Sequence, residues 1–519
     1  MRIKIVLRTL GGILKLLAIL LMIPGGVSAF YGETNGVIAF CQTSLITMLF
    51  GIVLGRFGER GAIGKKEAFG AVSLGWILAS FFGALPFAFM GLSLVNSLFE
   101  SASGFSTSGA TILTEFDAKG YYIINSTLAS NSIATNLALK ISAIIGRSNF
   151  TLHGIQNHTF YGLLFWRSFQ QFIGGLGIIL LLIAIVPKGI AGRQLYCAET
   201  IGPIKDTLVP TVRGTARILY KTYMTICFVE ILVLFLVGMP LFDAICTGFS
   251  TVTIGGFSPR ALNLIAYNNP LIEFFVSIFI IIGASSFIMH CRMRTSDMLT
   301  YFKDEEFGIF LLIIVLATSI IVFYGGMQGD LLTRFRFAAF QVISFAGTCG
   351  FVNTLEFDKW SAAAKLTLIL AMLIGGCIGS AAGGIKIGRI LICIKYIHKM
   401  LFHTLHPNVV STIRLSNVPI RDDILKYMLV YTFFYLATWL ILSLALTIVS
   451  ANDARVDVLV ATSGIASCMG GVGPGFGIIS SDWQSISPAG RMIGYFAMLI
   501  GRLELMPIVL LYLPEQWRD

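Results

Sequence analysis

Charge is scarce in this sequence. Of 519 residues only 12% are Asp, Glu, Lys or Arg, about half the share of a soluble domain. A water-soluble globular protein of this length is excluded. Cysteine is sparse as well: nine are scattered along the chain, at 41, 197, 227, 246, 291, 349, 377, 393 and 468, with no Cys-x-x-Cys pair. That implies neither a disulfide framework nor a zinc site, and leaves small buried apolar side chains. His398, His403 and His406 lie together, but not at the i, i+4 spacing of a metal pair, so they read as a solvated turn. No nucleophile–base constellation stands out, which speaks against an enzyme. The glycine run "GSAAGGIK" is not a phosphate loop: Ile385 separates glycine from lysine and no Ser or Thr follows Lys386. "GGVGPGFG" lacks the strand–turn–helix setting of a dinucleotide fold.

What is present is apolar sequence. Hydrophobic residues make up 56% of the chain, in recurring runs each long enough to cross roughly 30 Å of hydrocarbon. This predicts an all-α polytopic membrane protein. The net charge of +11 does not form a nucleic-acid patch but falls in alternate loops. Arg2, Lys4 and Arg8 precede the first span; Arg56, Arg60, Lys65 and Lys66 follow the second. Lys188, Arg193, Lys205, Arg213 and Arg217 come next, then Arg292, Arg294 and Lys303, and finally the stretch from Lys386 to Lys426. The positive-inside rule places these clusters and the N-terminus in the cytoplasm. The first apolar run ends in "VSA" like a cleaved leader, but its length favours a retained helix.

Helices are predicted at about 9–30, 37–56, 71–90, 161–187, 218–239, 270–291, 307–326, 363–399, 424–450 and 488–513. After the first two they pair around short polar segments at 99–111, 242–257, 337–351 and 456–477. Each segment opens with a half-helix and closes in glycine, and aligning them superposes Gly109, Gly256, Gly350 and Gly473. The pattern is a unit used four times: 67–190, 191–305, 306–422 and 423–519, after two extra helices in 1–66. A polar insertion at about 115–160 stretches the first unit; it carries sequons at Asn125, Asn149 and Asn157, which chance would explain in a bacterial protein.

Non-helical backbone at membrane depth is tolerated only inside protein or lining water. Four such interruptions predict one central pathway with pseudo-fourfold symmetry, where stacked carbonyls replace the water of a cation. Glycine tolerates the backbone angles this needs, Thr107, Thr253 and Thr348 add hydroxyls nearby, and half-helix C-termini favour positive charge. Glu100, Asp243 and Asp457 have two readings: caps of the half-helices or attractors of cations. Close helix packing through small residues would explain any single loop, though not four in matching positions.

"IGGCIGSAAGGIKIGRI" (374–390) interrupts an apolar helix with six glycines. Either it obstructs the path beneath the loops or it is a kink packed on a neighbour. Arg502 falls in the last apolar span, where a charge faces a cavity or a partner such as Glu504 or a loop carbonyl. Glu230 is a further intramembrane charge with no assigned role.

Nearly the whole chain resembles the membrane subunits of the Trk/Ktr/HKT superfamily of potassium transporters, in its TrkH branch. The resemblance rests on "SGFSTSGAT", "STVTIGGFS", "GTCGF", "GVGPGFG", "WRSFQQFIGGLGIILLLIAIVP" (166–187), the 374–390 run and "GRLELMPIVLL" (501–511). It implies four M1–P-loop–M2 repeats and a filter formed by Thr107, Ser108, Gly109, Ile254, Gly255, Gly256, Thr348, Cys349, Gly350, Gly471, Val472 and Gly473. Glycine at all four filter positions goes with potassium as the transported ion; no covalently bound cofactor is implied. The resemblance makes Gly375, Gly376, Gly379, Gly383, Gly384 and Lys386 part of an intramembrane gating loop and Arg502 a barrier in the pore. It further implies a homodimer, a cytosolic TrkA-like nucleotide-binding regulatory subunit, and the bacterial inner membrane. The insertion departs from the compact family pattern. A coupled secondary transporter of another cation or small solute is the alternative, but such proteins often use two inverted repeats rather than four same-sense ones.

Overall fold

The computed structural model describes residues 1–59, 61, 63–123, 160–177, 212–292, 304–409, 412–416 and 418–503, with 507, 510–511 and 513–517 beyond them. Most of the 115–160 insertion with its three sequons, the apolar run beyond Gly177, Arg60, Lys188, Arg193, Lys205, Arg294, Lys303 and Glu504 lie outside the described residues.

The first apolar run forms α1 (Ile3–Leu20) and α2 (Met22–Phe30), parted at Leu21. Pro24 has no amide proton for the preceding turn, which accounts for the break. Next comes α3 (Thr34–Phe57), packed along α1. The contact is close because it is built from glycine: a Cβ on Gly11 would lie 2.6 Å from the Gly55 amide nitrogen. Gly11→Leu is expected to force α1 off α3 at a cost of about 1–3 kcal/mol. The melting temperature of purified protein in detergent should fall by several degrees; an unchanged melt would refute the packing argument.

Four times a long apolar helix leads into a short buried one, a glycine loop and another helix. The first set is α4 (Lys65–Phe89), α5 (Leu94–Phe105) and α6 (Tyr161–Leu176). The second is α7 (Val212–Leu236), α8 (Leu241–Val252) and α9 (Pro270–Ala284), with a fragment, α10 (Phe287–Arg292). The third is α11 (Glu305–Tyr324), α12 (Leu331–Ala346) and α13 (Ala362–Ile374), continued after an irregular stretch by α14 (Ile387–Leu405). The fourth is α15 (Asp422–Val449), α16 (Val458–Gly470) and α17 (Pro488–Arg502). Among the described residues, six helices, starting at Ile3, Thr34, Lys65, Arg213, Glu305 and Ile424, are long and apolar enough to cross a membrane. Among the described residues, the departures from helix include one antiparallel ribbon, Arg414–Leu415 with Val418–Pro419, and single bridges Phe116–Tyr122 and Tyr121–Arg260.

Packing closes into a ring. In order, α5, α6, α8, α9, α12, α13, α16 and α17 each touch the next, and α17 returns to α5. The short helices are buried over their C-terminal parts, and α5 and α16 are rich in Ser, Ala and Gly: almost every residue of α5 from Asn96 to Phe105 and of α16 from Val460 to Gly470 is shielded. Small side chains let these helices sit inside a shell of longer apolar ones.

The predicted helix at 270–291 is not continuous. It parts at Ser285 and Ser286, which carry no sequence breaker of the glycine or proline kind. The cause is tertiary. The Ala284 carbonyl accepts from the Cys377 amide at 2.9 Å, and the Phe287 amide donates to the Gly379 carbonyl at 3.0 Å. Backbone groups from the glycine-rich stretch thus replace the helix's own bonds.

Candidate functional site

Each short helix ends three or four residues before its loop glycine, and all four ends are closed in the same way. The Ser108 amide bonds the Ser103 carbonyl (2.9 Å), Gly255 bonds Ser250 (2.7 Å), Cys349 bonds Ser344 (2.7 Å) and Val472 bonds Ser467 (2.9 Å). The sequence carries a signal for this that glycine alignment alone misses: a serine stands six residues before Gly109, Gly256, Gly350 and Gly473.

The loops share an alternating backbone. Thr107, Ile254, Thr348 and Gly471 have φ of 57°, 56°, 59° and 72°; two residues on, Gly109, Gly256, Gly350 and Gly473 have 76°, 75°, 81° and 100°. Thr and Ile are β-branched, and in the left-handed region each is a genuine outlier. Such strain persists only where the surroundings over-determine it, and it concentrates at functional sites.

The glycines also set the spacing between loops. A Cβ on Gly109 would collide with the Gly255 carbonyl oxygen, one on Gly256 with that of Cys349, and one on Gly350 with that of Val472. A Cβ on Gly473 would come within 2.8 Å of the Ser108 oxygen, which closes the circle. All four glycines line one cavity of roughly 610 Å³, part of it open solvent, with Arg167 in its wall. The twelve residues expected at a filter are therefore gathered in one place.

Their supports come from elsewhere in the chain. Glu100, fully buried within α5, accepts from Thr111 Oγ1 (3.1 Å), the Ile112 amide (3.0 Å) and Arg167 Nε (2.6 Å). It is neither a helix cap nor a cation attractor at an open mouth, because its oxygens are occupied by Thr111 and Ile112 just after the first loop and by Arg167 of α6. Arg167 also donates to Thr111 Oγ1 (2.9 Å) and the Ser258 carbonyl (3.3 Å), and its guanidinium stacks 4.1 Å from the Phe257 ring. One side chain so ties the first loop to the second. Gln171 holds the second loop from both sides, donating to the Gly255 carbonyl (2.6 Å) and accepting from the Phe257 amide (3.2 Å). A carbonyl has two lone pairs, so Gly255 keeps one. Asp457 is a cap, accepting from the Val460 amide at 2.8 Å. Asp243 is not; it holds Arg260 (2.9 Å) and Tyr267 (2.9 Å). The Thr253 hydroxyl turns back onto Phe249 and Ser250 of its own helix, one position out of register with Thr107 and Thr348.

The glycine-rich stretch 375–386 lies against these loops. Positive φ at Gly375, Gly379, Gly384 and Lys386 (73°, 78°, 78° and 77°) folds it back between α13 and α14. The Gly383 amide donates to Thr348 Oγ1 at 3.0 Å, so the stretch touches the third loop directly. Gly376 is hemmed in by Ala382 and the Ala284 carbonyl, and Gly383 by the Gly470 carbonyl. Arg502, at the end of α17, donates to the Ala381 carbonyl (3.1 Å) and to the carbonyls of Gly174 and Gly175 (2.5 Å each). It clasps the stretch to the C-terminal end of α6, where the helix dipole favours a cation. Arg502 thus has loop carbonyls as partners; Glu504, the other partner expected, lies outside the described residues.

A ring of buried short helices whose glycine loops converge inside a shell of membrane-length helices is the build of a multi-spanning transport protein. Residues 38–517 match the family model described as TrkH, cation transport protein, and the chain belongs to that family. It is 30% identical over 530 residues to the Trk system potassium uptake protein TrkH of Salmonella typhimurium, covering 100% of both chains. With the Trk system potassium uptake protein TrkI of Halomonas elongata the identity is 26% over 461 residues, 87% of this chain and 84% of the other. The fold is similar to the crystal structure of the potassium transporter TrkH from Vibrio parahaemolyticus, with a TM-score of 0.81, 25% identity and 100% of both chains covered.

Proposed function

We propose that this protein takes up potassium through a filter of four pseudo-fourfold-related loops, each the centre of an M1–P-loop–M2 repeat. The observation that carries the reading is the closed circle in which each loop glycine meets the carbonyl of the next loop. Peptide oxygens of residues 107–109, 254–256, 348–350 and 471–473 replace the hydration shell of the ion. The C-terminal ends of α5, α8, α12 and α16 point partial negative charge at the same place. The names of the relatives, potassium uptake proteins, support the choice of ion.

The stretch 375–386, bonded to Thr348 and held by Arg502, is the gate beneath that filter. Arg502 adds a positive charge that a cation must pass. The N-terminus and basic loops face the cytoplasm across a bacterial inner membrane, and a homodimer works with a cytosolic TrkA-like regulatory subunit that binds nucleotide.

Purified protein in liposomes with opposed potassium and sodium gradients tests the filter. Gly109→Ser puts a side chain at φ +76° against the Gly255 carbonyl. The potassium-over-sodium preference should fall by about tenfold, or ~1.4 kcal/mol of discrimination. A folded Gly109→Ser protein with unchanged preference would overturn the assignment.

A further inference from the structure

We infer that Glu306 is the clip that keeps the glycine-rich stretch closed; the inference rests on reading that stretch as the gate. Glu306 is the second residue of α11, and its side chain is buried at 8% exposure. One carboxylate oxygen, Oε1, accepts from the Ile378 amide at 2.6 Å and from the Gly388 amide at 2.9 Å. Ile378 is on the limb entering the stretch and Gly388 is in the first turn of α14, just after it leaves. A single atom therefore draws the two limbs together. Position 388 admits the carboxylate because it is glycine: a Cβ there would lie 2.9 Å from the same oxygen.

The neighbouring acids do other work. Asp304 caps α11 through the Phe307 amide at 3.0 Å. Glu305 pairs with Lys395 of α14 at 2.5 Å, and Lys395 also reaches the Arg414 carbonyl of the ribbon at 2.8 Å. The start of α11 thus grips α14 at two levels, Gly388 and Lys395. A displacement of α14 that breaks the Gly388 bond also disturbs the oxygen holding Ile378. Because both amides share one acceptor, losing the Glu306 carboxylate frees both limbs at once. Losing a shared buried acceptor would leave two backbone amides without their partner, which suits a latch. Glu306 acts through the loop and not on the ion, so it is a positioning residue.

The test is basal potassium flux of full-length protein in liposomes without any regulatory subunit. Glu306→Ala should raise it about tenfold, since both amides lose their shared buried acceptor. Glu306→Gln keeps an acceptor oxygen without the charge and should rise less. The potassium-over-sodium preference should stay at the wild-type level in both, whereas general damage to the fold would lower flux and blur the preference. A third chain, with Ile378–Gly383 shortened to two glycines, reports on the gate itself. Leak from the shortened chain with wild-type basal flux in Glu306→Ala overturns the clip and leaves the gate. A shortened chain that does not leak overturns the gate reading and the clip with it. Should Glu306→Ala fail to fold, wild-type basal flux in folded Glu306→Gln overturns the clip.

Discussion

Gly350→Ala is expected to abolish potassium transport while the protein still reaches the membrane. The added methyl group would overlap the Val472 carbonyl oxygen, and would lie 2.8 Å from that carbonyl's carbon and 3.0 Å from Pro474 Cδ. The position has φ +81°, where an L side chain costs about 1–2 kcal/mol even in open space. Nothing nearby can give way. Val472 is fully buried and its amide is tied to Ser467 at 2.9 Å, and Pro474 is rigid. The third and fourth loops must separate, and with them the oxygens proposed to face the ion. Growth at limiting potassium in a host without uptake systems of its own checks this, with membrane abundance measured in parallel. Gly26→Ala, where an added Cβ meets nothing within 4 Å, is the control and should grow like wild type. Growth of Gly350→Ala at wild-type rate would sink the filter geometry.

Arg167→Ala is expected to be the most destabilising single substitution outside the loops. Arg167 is 1% exposed and Glu100 0%, with 2.6 Å between them. Removing one partner of a buried pair leaves the other's charge uncompensated, at about 3–5 kcal/mol. Here the loss is shared by two loops, because Thr111 and the Ser258 carbonyl lose their donor as well. Arg167→Lys should not rescue, since one ammonium cannot span three partners lying in different directions. Arg167→Met combined with Glu100→Gln should recover part of the melting temperature, because the stranded charge is gone. Melting in detergent, followed by size exclusion, reads all four proteins. A wild-type melt for Arg167→Ala would show the pair to be incidental.

Much of this was legible in the sequence, and the reasons differ by element. Long apolar runs and glycine-terminated segments are local properties, so the helices, the loop residues and the interruption of the helix after Ile374 could be read directly. The role of Glu100 could not. Its position near a half-helix suggests a cap, but its partners are 11, 12 and 67 residues away. The break at Ser285 was hidden for the same reason: the bonds that sustain it come from Cys377 and Gly379. Arg167 and Gln171 stood in plain view inside an apolar run, where a charge or amide asks for a buried partner. Only the fold tells which partner. Thr253 misled because hydroxyls near a glycine look alike until a common register, set by the serine six residues earlier, is imposed.

The circular packing, with α17 returning to α5, has a consequence for biosynthesis. The Trp483 amide bonds the Thr111 carbonyl at 2.8 Å, and Gly473 abuts Ser108, so elements made early wait for those made last. Contacts so distant along the chain form slowly and leave partly assembled states exposed. A ribosome that stalls before α16 releases a product with an unsealed flank. Its three earlier loops would lack their fourth wall, which makes such a fragment a natural substrate for membrane quality-control proteases.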